Sequence, residues 1–134
     1  RIMNGFEFEF NKKLNNSPSS IFKGGLENNK VINILNENAH FLLLPTYYPG
    51  EGLPGILVES TIAEVPFLVT KIHAIEDYFI NNKTMVQINK NDPHDIAEKL
   101  HDLIISKEKY NNIIQNQRLI KNNFSVSNFL NKIL

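Results

Sequence analysis

The stretch His40–Ser60, HFLLLPTYYPGEGLPGILVES, joins a short apolar run to a loop rich in glycine and proline. The run Phe41–Leu44 is continuous, which is typical of a strand buried on both faces of a parallel sheet. The loop Pro45–Gly55 holds three glycines and three prolines. The β-branched residues that follow could form a further strand, but Pro54 and Gly55 can equally open a helix.

A helix at this point would make the loop an anion site. Its first backbone N–H groups would face the mouth of the sheet, where they favour phosphate. Glu51 would lie just before the helix and Glu59 just over one turn inside it. Two carboxylates would then flank one anion, an arrangement that suits a nucleotide sugar with its diphosphate at the helix end.

Strand and helix patterns alternate along the rest of the chain, which predicts an α/β fold with a Rossmann-like parallel sheet flanked by helices. Ligands of such sheets bind outside the carboxyl ends of the strands. The further predicted strands are Ile2–Asn4, Ser20–Lys23, Phe67–Thr70 and Met85–Ile88. The predicted helices are Glu27–Asn38, Ile75–Ile80, one capped by Asp92 with Pro93 in its first turn, one around Tyr110–Ile114, and one capped by Ser125.

Composition limits the function classes. The 134 residues carry no net charge and no cysteine, so the length fits a single domain, residues 1–134. Without cysteine there is no disulfide framework, no Cys-ligated zinc and no thiol catalysis. The lack of excess positive charge argues against nucleic acid as the main partner. No apolar run is long enough to span a bilayer, and the start at Arg1 suggests a piece of a longer protein.

The segment PTYYPGEGLPGILVES resembles the E-x7-E segment of retaining GT-B glycosyltransferases of the family-4 type, the group 1 glycosyl transferases. Other segments resemble the same family in the same order. They are FKGGL (Phe22–Leu26), VPFLVT (Val65–Thr70), HAIEDYFINN (His73–Asn82) and NDPHDIAEKLHDLI (Asn91–Ile104). The resemblance implies part of a C-terminal donor-binding domain that needs no bound metal or cofactor, with a UDP- or GDP-sugar as co-substrate.

The resemblance also implies roles for particular residues. Glu51 would contact hydroxyls of the transferred sugar, and Glu59 would bind the ribose hydroxyls. Donor contacts from the backbone would come from Gly52, Leu53, Pro54 and Gly55. A turn near the base would supply Lys23, Gly24 and Leu26. The reaction implied is transfer of a sugar, with retention, to an acceptor hydroxyl in cell-surface polysaccharide or glycolipid synthesis.

The sequence departs from the family in several respects. The G-R-x…K-G segment, whose Arg and Lys neutralise the diphosphate, is not found; it would precede Arg1 with the acceptor-binding N-terminal domain, so the sheet would lack its first strand and the chain alone would be inactive. His73 and Ala74 stand where the family has glycines. A non-catalytic nucleotide-binding module is therefore an alternative, and a doubly wound domain of phosphatase or response-regulator type is a third.

The expected partners follow from this interpretation. They are the donor, a sugar or lipid-linked acceptor, and the N-terminal domain. Residues 107–134 carry an excess of basic side chains, which could touch anionic headgroups at the cytoplasmic face of a membrane. An open sheet edge could also pair with a second copy of the chain. The expected location is the cytoplasm.

Overall fold

A computed structural model describes residue 12, residues 16–17, 19–21, 23–46 and 48, and residues 50–124. The strand predicted at Ile2–Asn4 lies outside these residues. So does the helix predicted to be capped by Ser125. The described elements, in chain order, are α1 (Asn28–Asn38), β1 (Leu42–Leu44), α2 (Gly55–Ile62), β2 (Phe67–Thr70), α3 (His73–Glu76), β3 (Val86–Ile88), α4 (Pro93–Ile105), α5 (Lys107–Ile120) and a 3-10 turn (Lys121–Phe124).

The three strands form one parallel sheet in the order β1-β2-β3, as the alternation of patterns predicted. Leu43 is opposite Leu68, and Val69 is opposite Gln87. Side chains of a strand point alternately to the two faces of its sheet, and the central strand β2 is buried along its whole length. The fold is therefore three-layered, with helices on both faces of the sheet.

Two apolar clusters hold these layers together. On one face, Phe67 and Val69 of β2 pack with Leu57 of α2 and with residues of the segment between β2 and β3. On the other face, Leu68 packs with β3, Leu103 of α4 and Ile113 of α5. Burial of this apolar surface is the main favourable term in folding, so β2 is the element on which the domain depends most.

Packing decides between the helix and the strand that were both possible after the proline loop. Residues Gly55–Ile62 form α2 rather than a strand, and Leu57, Ser60 and Thr61 face inward. The two buried hydroxyls are satisfied, since Ser60 donates to the carbonyl of Val65 at 2.7 Å and Thr61 to that of Leu57 at 2.8 Å. These bonds remove the cost of burying polar groups, so a sequence of mixed propensity is stable as a helix.

The later elements match their predicted positions closely. Asp92 caps α4 by accepting a hydrogen bond from the backbone N–H of Asp95 at 3.0 Å, and Pro93 lies in the first turn. The strand Phe67–Thr70 has the predicted bounds, and β3 begins one residue later than predicted. These elements could be predicted from sequence because an N-cap residue marks the helix and continuous apolar runs mark the strands.

Three local predictions were wrong. Residues 20, 21 and 23 are not in a strand. The helix expected at Ile75–Ile80 is His73–Glu76, since the backbone N–H of Ile80 donates to Thr84 Oγ1 at 2.8 Å in a turn. The strand β1 is not buried on both faces, because Leu43 is 44% exposed. The helices on its side of the sheet pack over β2 and β3.

An ion-pair cluster ties the turn before β2 to the C-terminal helices. The carboxylate of Glu64 accepts hydrogen bonds from Arg118 Nε at 2.6 Å and from Lys121 Nζ at 2.7 Å. The bond from Lys121, opposed by partial burial and aided by the bond from Arg118, lowers the pKa of Glu64. A lowered pKa stabilises the fold above the ordinary carboxyl range, and this contribution is lost as the pH falls through the lowered value.

Replacing Glu64 by glutamine is therefore expected to lower the free energy of unfolding by about 1 kcal/mol at pH 7, the upper value for a solvated ion pair. The difference between the two proteins should hold above about pH 5 and shrink toward pH 3. Urea unfolding across this range measures it, with the exposed Glu37→Gln as control. A difference that grows as the pH falls would contradict the assignment.

Candidate active site

An open cleft of about 650 Å³ lies at the carboxyl ends of the strands. Each strand contributes to it through the residues that follow or end that strand. Tyr48 and Glu51 come after β1, residues 70–74 come from the end of β2, and residues 87–90 come from the end of β3. This is the position at which open parallel sheets bind their ligands. A smaller cavity of about 440 Å³ lies between β3, α4 and α5.

Glu51 is the one residue of the predicted site set that lines this cleft. Its carboxylate accepts a hydrogen bond from the hydroxyl of Thr46, which lies two residues beyond β1. Its backbone N–H donates to the carbonyl of Tyr48 at 3.2 Å. Both bonds fix Glu51 relative to the strand end, so the carboxylate is held in the cleft while remaining half-buried.

The start of α2 follows Glu51 closely. The helix begins at Gly55, and Pro54 at its N-cap gives no side-chain hydrogen bond to the first turn. A helix that starts without such a cap has backbone N–H groups available for an anion. Glu59 lies four residues after Gly55 and is half-buried. The rise of a helix separates these two residues by roughly 6 Å along its axis.

Two of the three glycines of this loop, Gly52 and Gly55, are not required by the backbone. Gly52 and Gly55 have no positive φ, and a Cβ at either position would meet no atom within 4 Å. Gly24 differs, since its φ of 70° is one that other residues rarely adopt.

The remaining predicted site residues lie outside the lining of the cleft. Leu53 packs its side chain against the core cluster of Phe67. Lys23, Gly24 and Leu26 lie in the irregular segment before α1, and Leu26 is 42% exposed. The structure therefore brings Glu51 to the cleft and the start of α2 next to it in the chain. It does not bring the segment before α1 into the lining.

Basic residues that sequence analysis passed over also line the cleft. Lys71 follows β2 directly, and Lys90 lies two residues beyond β3. Lys71 pairs with Glu76 at 3.1 Å, and His73 Nδ1 lies 3.7 Å from the same carboxylate. Their position directly after predicted strands was the signal that could have identified them, since strand ends of a parallel sheet meet at one edge.

The part of the chain that the structure describes lacks two kinds of feature, a metal-binding cluster and a membrane-spanning helix. Within it, no three His, Asp or Glu side chains come together in an arrangement that could hold a metal ion. Within the same residues, none of the helices combines the length and the apolar character needed to cross a bilayer.

Comparison with known proteins agrees with this geometry. The family model of the group 1 glycosyl transferases matches residues 6–120, which is most of the chain. No curated protein matches the chain. The matched range includes the whole described sheet, the loop with Glu51 and the helix α2. The chain therefore belongs to the group 1 glycosyl transferases, with the α/β architecture of their GT-B C-terminal domain.

Proposed function

We propose that the chain is the donor-binding part of a retaining glycosyltransferase that uses a UDP- or GDP-sugar. The observation that carries this proposal is the position of Glu51. Its carboxylate is held by Thr46 in a cleft at the carboxyl ends of β1, β2 and β3. The uncapped start of α2 follows four residues later. Sugar hydroxyls and a diphosphate need these two kinds of partner, a hydrogen-bond acceptor and a set of N–H donors.

The proposed chemistry uses positioning and electrostatic stabilisation. The bond between the sugar C1 and the diphosphate oxygen breaks, and the oxygen of the acceptor hydroxyl forms the new bond to C1 on the same face. The hydroxyl proton passes to the departing diphosphate. Negative charge grows on the departing diphosphate, next to the N–H groups of Gly52, Leu53 and Gly55. Preorganised dipoles stabilise such charge without reorganisation. Glu51 holds the sugar hydroxyls, and Glu59 binds the ribose, so that the reacting atoms stay aligned.

The wider setting is part of the same proposal. The full-length enzyme transfers a hexosyl group to a sugar or lipid-linked acceptor in cell-surface polysaccharide or glycolipid synthesis. An N-terminal domain binds the acceptor, and the chain alone is inactive without it. The enzyme works in the cytoplasm, in peripheral contact with the membrane.

A second candidate function is a nucleotide-binding module without transfer. It is favoured by His73 and Ala74, whose side chains line the cleft where the resembled family has glycines. Added side chains there take up space that the sugar or diphosphate would need. Full-length protein that binds a nucleotide but releases no sugar to any acceptor would support this candidate.

Titration of the full chain with UDP, GDP and ADP, and with sugars linked to them, tests the donor site. We expect one nucleotide to shift the amide resonances of Gly52 and Gly55. Glu59→Ala should weaken that binding about tenfold, because a carboxylate that pairs with ribose hydroxyls makes charge-assisted hydrogen bonds. The exposed Glu37→Ala is the matched control. Equal affinity of Glu59→Ala and wild type would contradict the role of Glu59.

A further inference from the structure

An aromatic ring lies on the side of the cleft that the loop after β1 forms. Tyr48 lines the cleft together with Glu51, and both residues belong to that loop. Tyr48 is 68% exposed. A tyrosine combines a large apolar ring with a polar tip, and such residues are common where a protein binds a ligand. Most of the surface of this ring is therefore available to a molecule in the cleft.

The ring of Tyr48 packs directly against Gly50. A Cβ at position 50 would lie 3.1 Å from Cε1 and 3.4 Å from Cζ of Tyr48. Both distances are below the best separation of two carbon atoms, which is about 3.5–4.0 Å. The φ of Gly50 is not in the left-handed region, so the ring and not the backbone accounts for a glycine here. The absence of a side chain at Gly50 thus fixes where the ring lies.

A turn brings this ring next to a carboxylate. The backbone N–H of Glu51 donates to the carbonyl of Tyr48 at 3.2 Å, and the hydroxyl of Thr46 donates to the Glu51 carboxylate. A pyranose sugar carries hydroxyl groups around its edge and C–H groups on its faces. A carboxylate accepts hydrogen bonds from the hydroxyls, and an aromatic ring covers the C–H groups by apolar contact. The pair of Tyr48 and Glu51 therefore matches both parts of a sugar.

We propose that Tyr48 is a specificity-determining residue that stacks on the ring of a bound hexopyranose. This inference rests on the proposed donor site and adds a preference among sugars. An axial hydroxyl on the stacked face would meet the apolar ring without a hydrogen-bond partner, which costs free energy. The ligand class is therefore a hexopyranose with one face free of axial hydroxyls. A donor sugar and an acceptor sugar share this chemistry, and titration separates the two sources.

Calorimetric titration of the full chain tests the role of Tyr48. The ligands are UDP-glucose, UDP-galactose and GDP-mannose, the free diphosphates UDP and GDP, and the methyl glycosides of the same sugars at millimolar concentration. We expect Tyr48→Ala to weaken the bound nucleotide sugar about tenfold, the effect of losing one aromatic contact. Affinity for the free diphosphate should not change. Tyr48→Phe keeps the ring and should retain the affinity.

Two further variants make the test specific to the position of the ring. Gly50→Ala leaves Tyr48 in the sequence but displaces its ring, so it should weaken the same nucleotide sugar and spare the free diphosphate. Tyr78→Ala removes a ring that is 52% exposed and lies outside the lining of the cleft. It should change each affinity by less than about twofold. Because Tyr48 is exposed, thermal unfolding of its variants should match the wild type.

The outcomes separate this inference from the proposed function. Unchanged affinity of Tyr48→Ala for every sugar ligand would overturn the role of Tyr48, and so would wild-type protein that binds no sugar in either form. Equal weakening of the nucleotide sugar and the free diphosphate would also overturn it, because the ring would then contact the nucleotide. If Tyr48→Ala weakens a methyl glycoside while wild type binds no nucleotide, stacking on a sugar stands and the donor-site proposal fails.

Discussion

Replacing Glu51 by glutamine is expected to lower kcat for sugar transfer by about a hundredfold in the full-length enzyme. The carboxylate is held in the cleft by Thr46 and contacts the transferred sugar in the proposed complex. Glutamine keeps the shape of the side chain but removes the negative charge that stabilises the positively charged sugar in the transition state. Loss of one preorganised electrostatic contact costs about that factor. The measurement is release of nucleoside diphosphate from the donor with acceptor present.

Donor affinity separates a role in the reaction from a role in folding. Because Glu51 faces the sugar, Glu51→Gln should bind the free nucleoside diphosphate as tightly as wild type. Glu37→Gln changes the same group on the exposed surface of α1 and should leave kcat unaltered. A Glu51→Gln enzyme with wild-type kcat would remove Glu51 from the reaction. One that loses nucleotide affinity in proportion to kcat would place Glu51 in the nucleotide site instead.

The central sheet and its loop could be predicted from sequence because their signals are local. A continuous apolar run after a proline reads as a buried strand, and Phe67–Thr70 has those bounds in the structure. Glu51 was predicted as a site residue from its loop after a strand and its seven-residue spacing to Glu59. It lines the cleft, and its role there stays a prediction. The cap at Asp92 likewise depends on residues within one helical turn. Such features need no knowledge of distant contacts.

The errors concern features that distant residues decide. Leu43 belongs to an apolar run, yet it is exposed because the helices of its face lie over β2 and β3. The helix α3 ends at Glu76, and the backbone N–H of Ile80 bonds the side chain of Thr84 rather than a helical carbonyl. Sequence analysis assigned no role to Lys71. Only the pairing of β2 with β3 shows that it shares a cleft with Lys90.

Phe67→Ala is expected to have the largest effect on stability, about 3–5 kcal/mol off the free energy of unfolding. Phe67 is fully buried on the central strand. Its ring meets that of Phe79 edge to face, with centroids 5.1 Å apart, and Phe79 stacks on Phe124 at 5.6 Å. Truncation removes the ring of Phe67 and leaves a cavity next to the ring of Phe79. The total stability of a domain is about 5–15 kcal/mol, so the substitution removes a large share of it.

Urea unfolding measures this loss, and Leu119→Ala is its control, since Leu119 is 78% exposed and should change stability by less than about 0.5 kcal/mol. A cost for Phe67→Ala below about 1 kcal/mol would mean that the ring is not part of the core.

The effect of Phe67→Ala on the cleft is indirect. Phe67 lies on β2, which ends at Thr70. Lys71 follows that end and lines the cleft. Nucleotide affinity of the variant should therefore fall only with the folded fraction, and saturating nucleotide should restore part of its stability by binding the folded state alone.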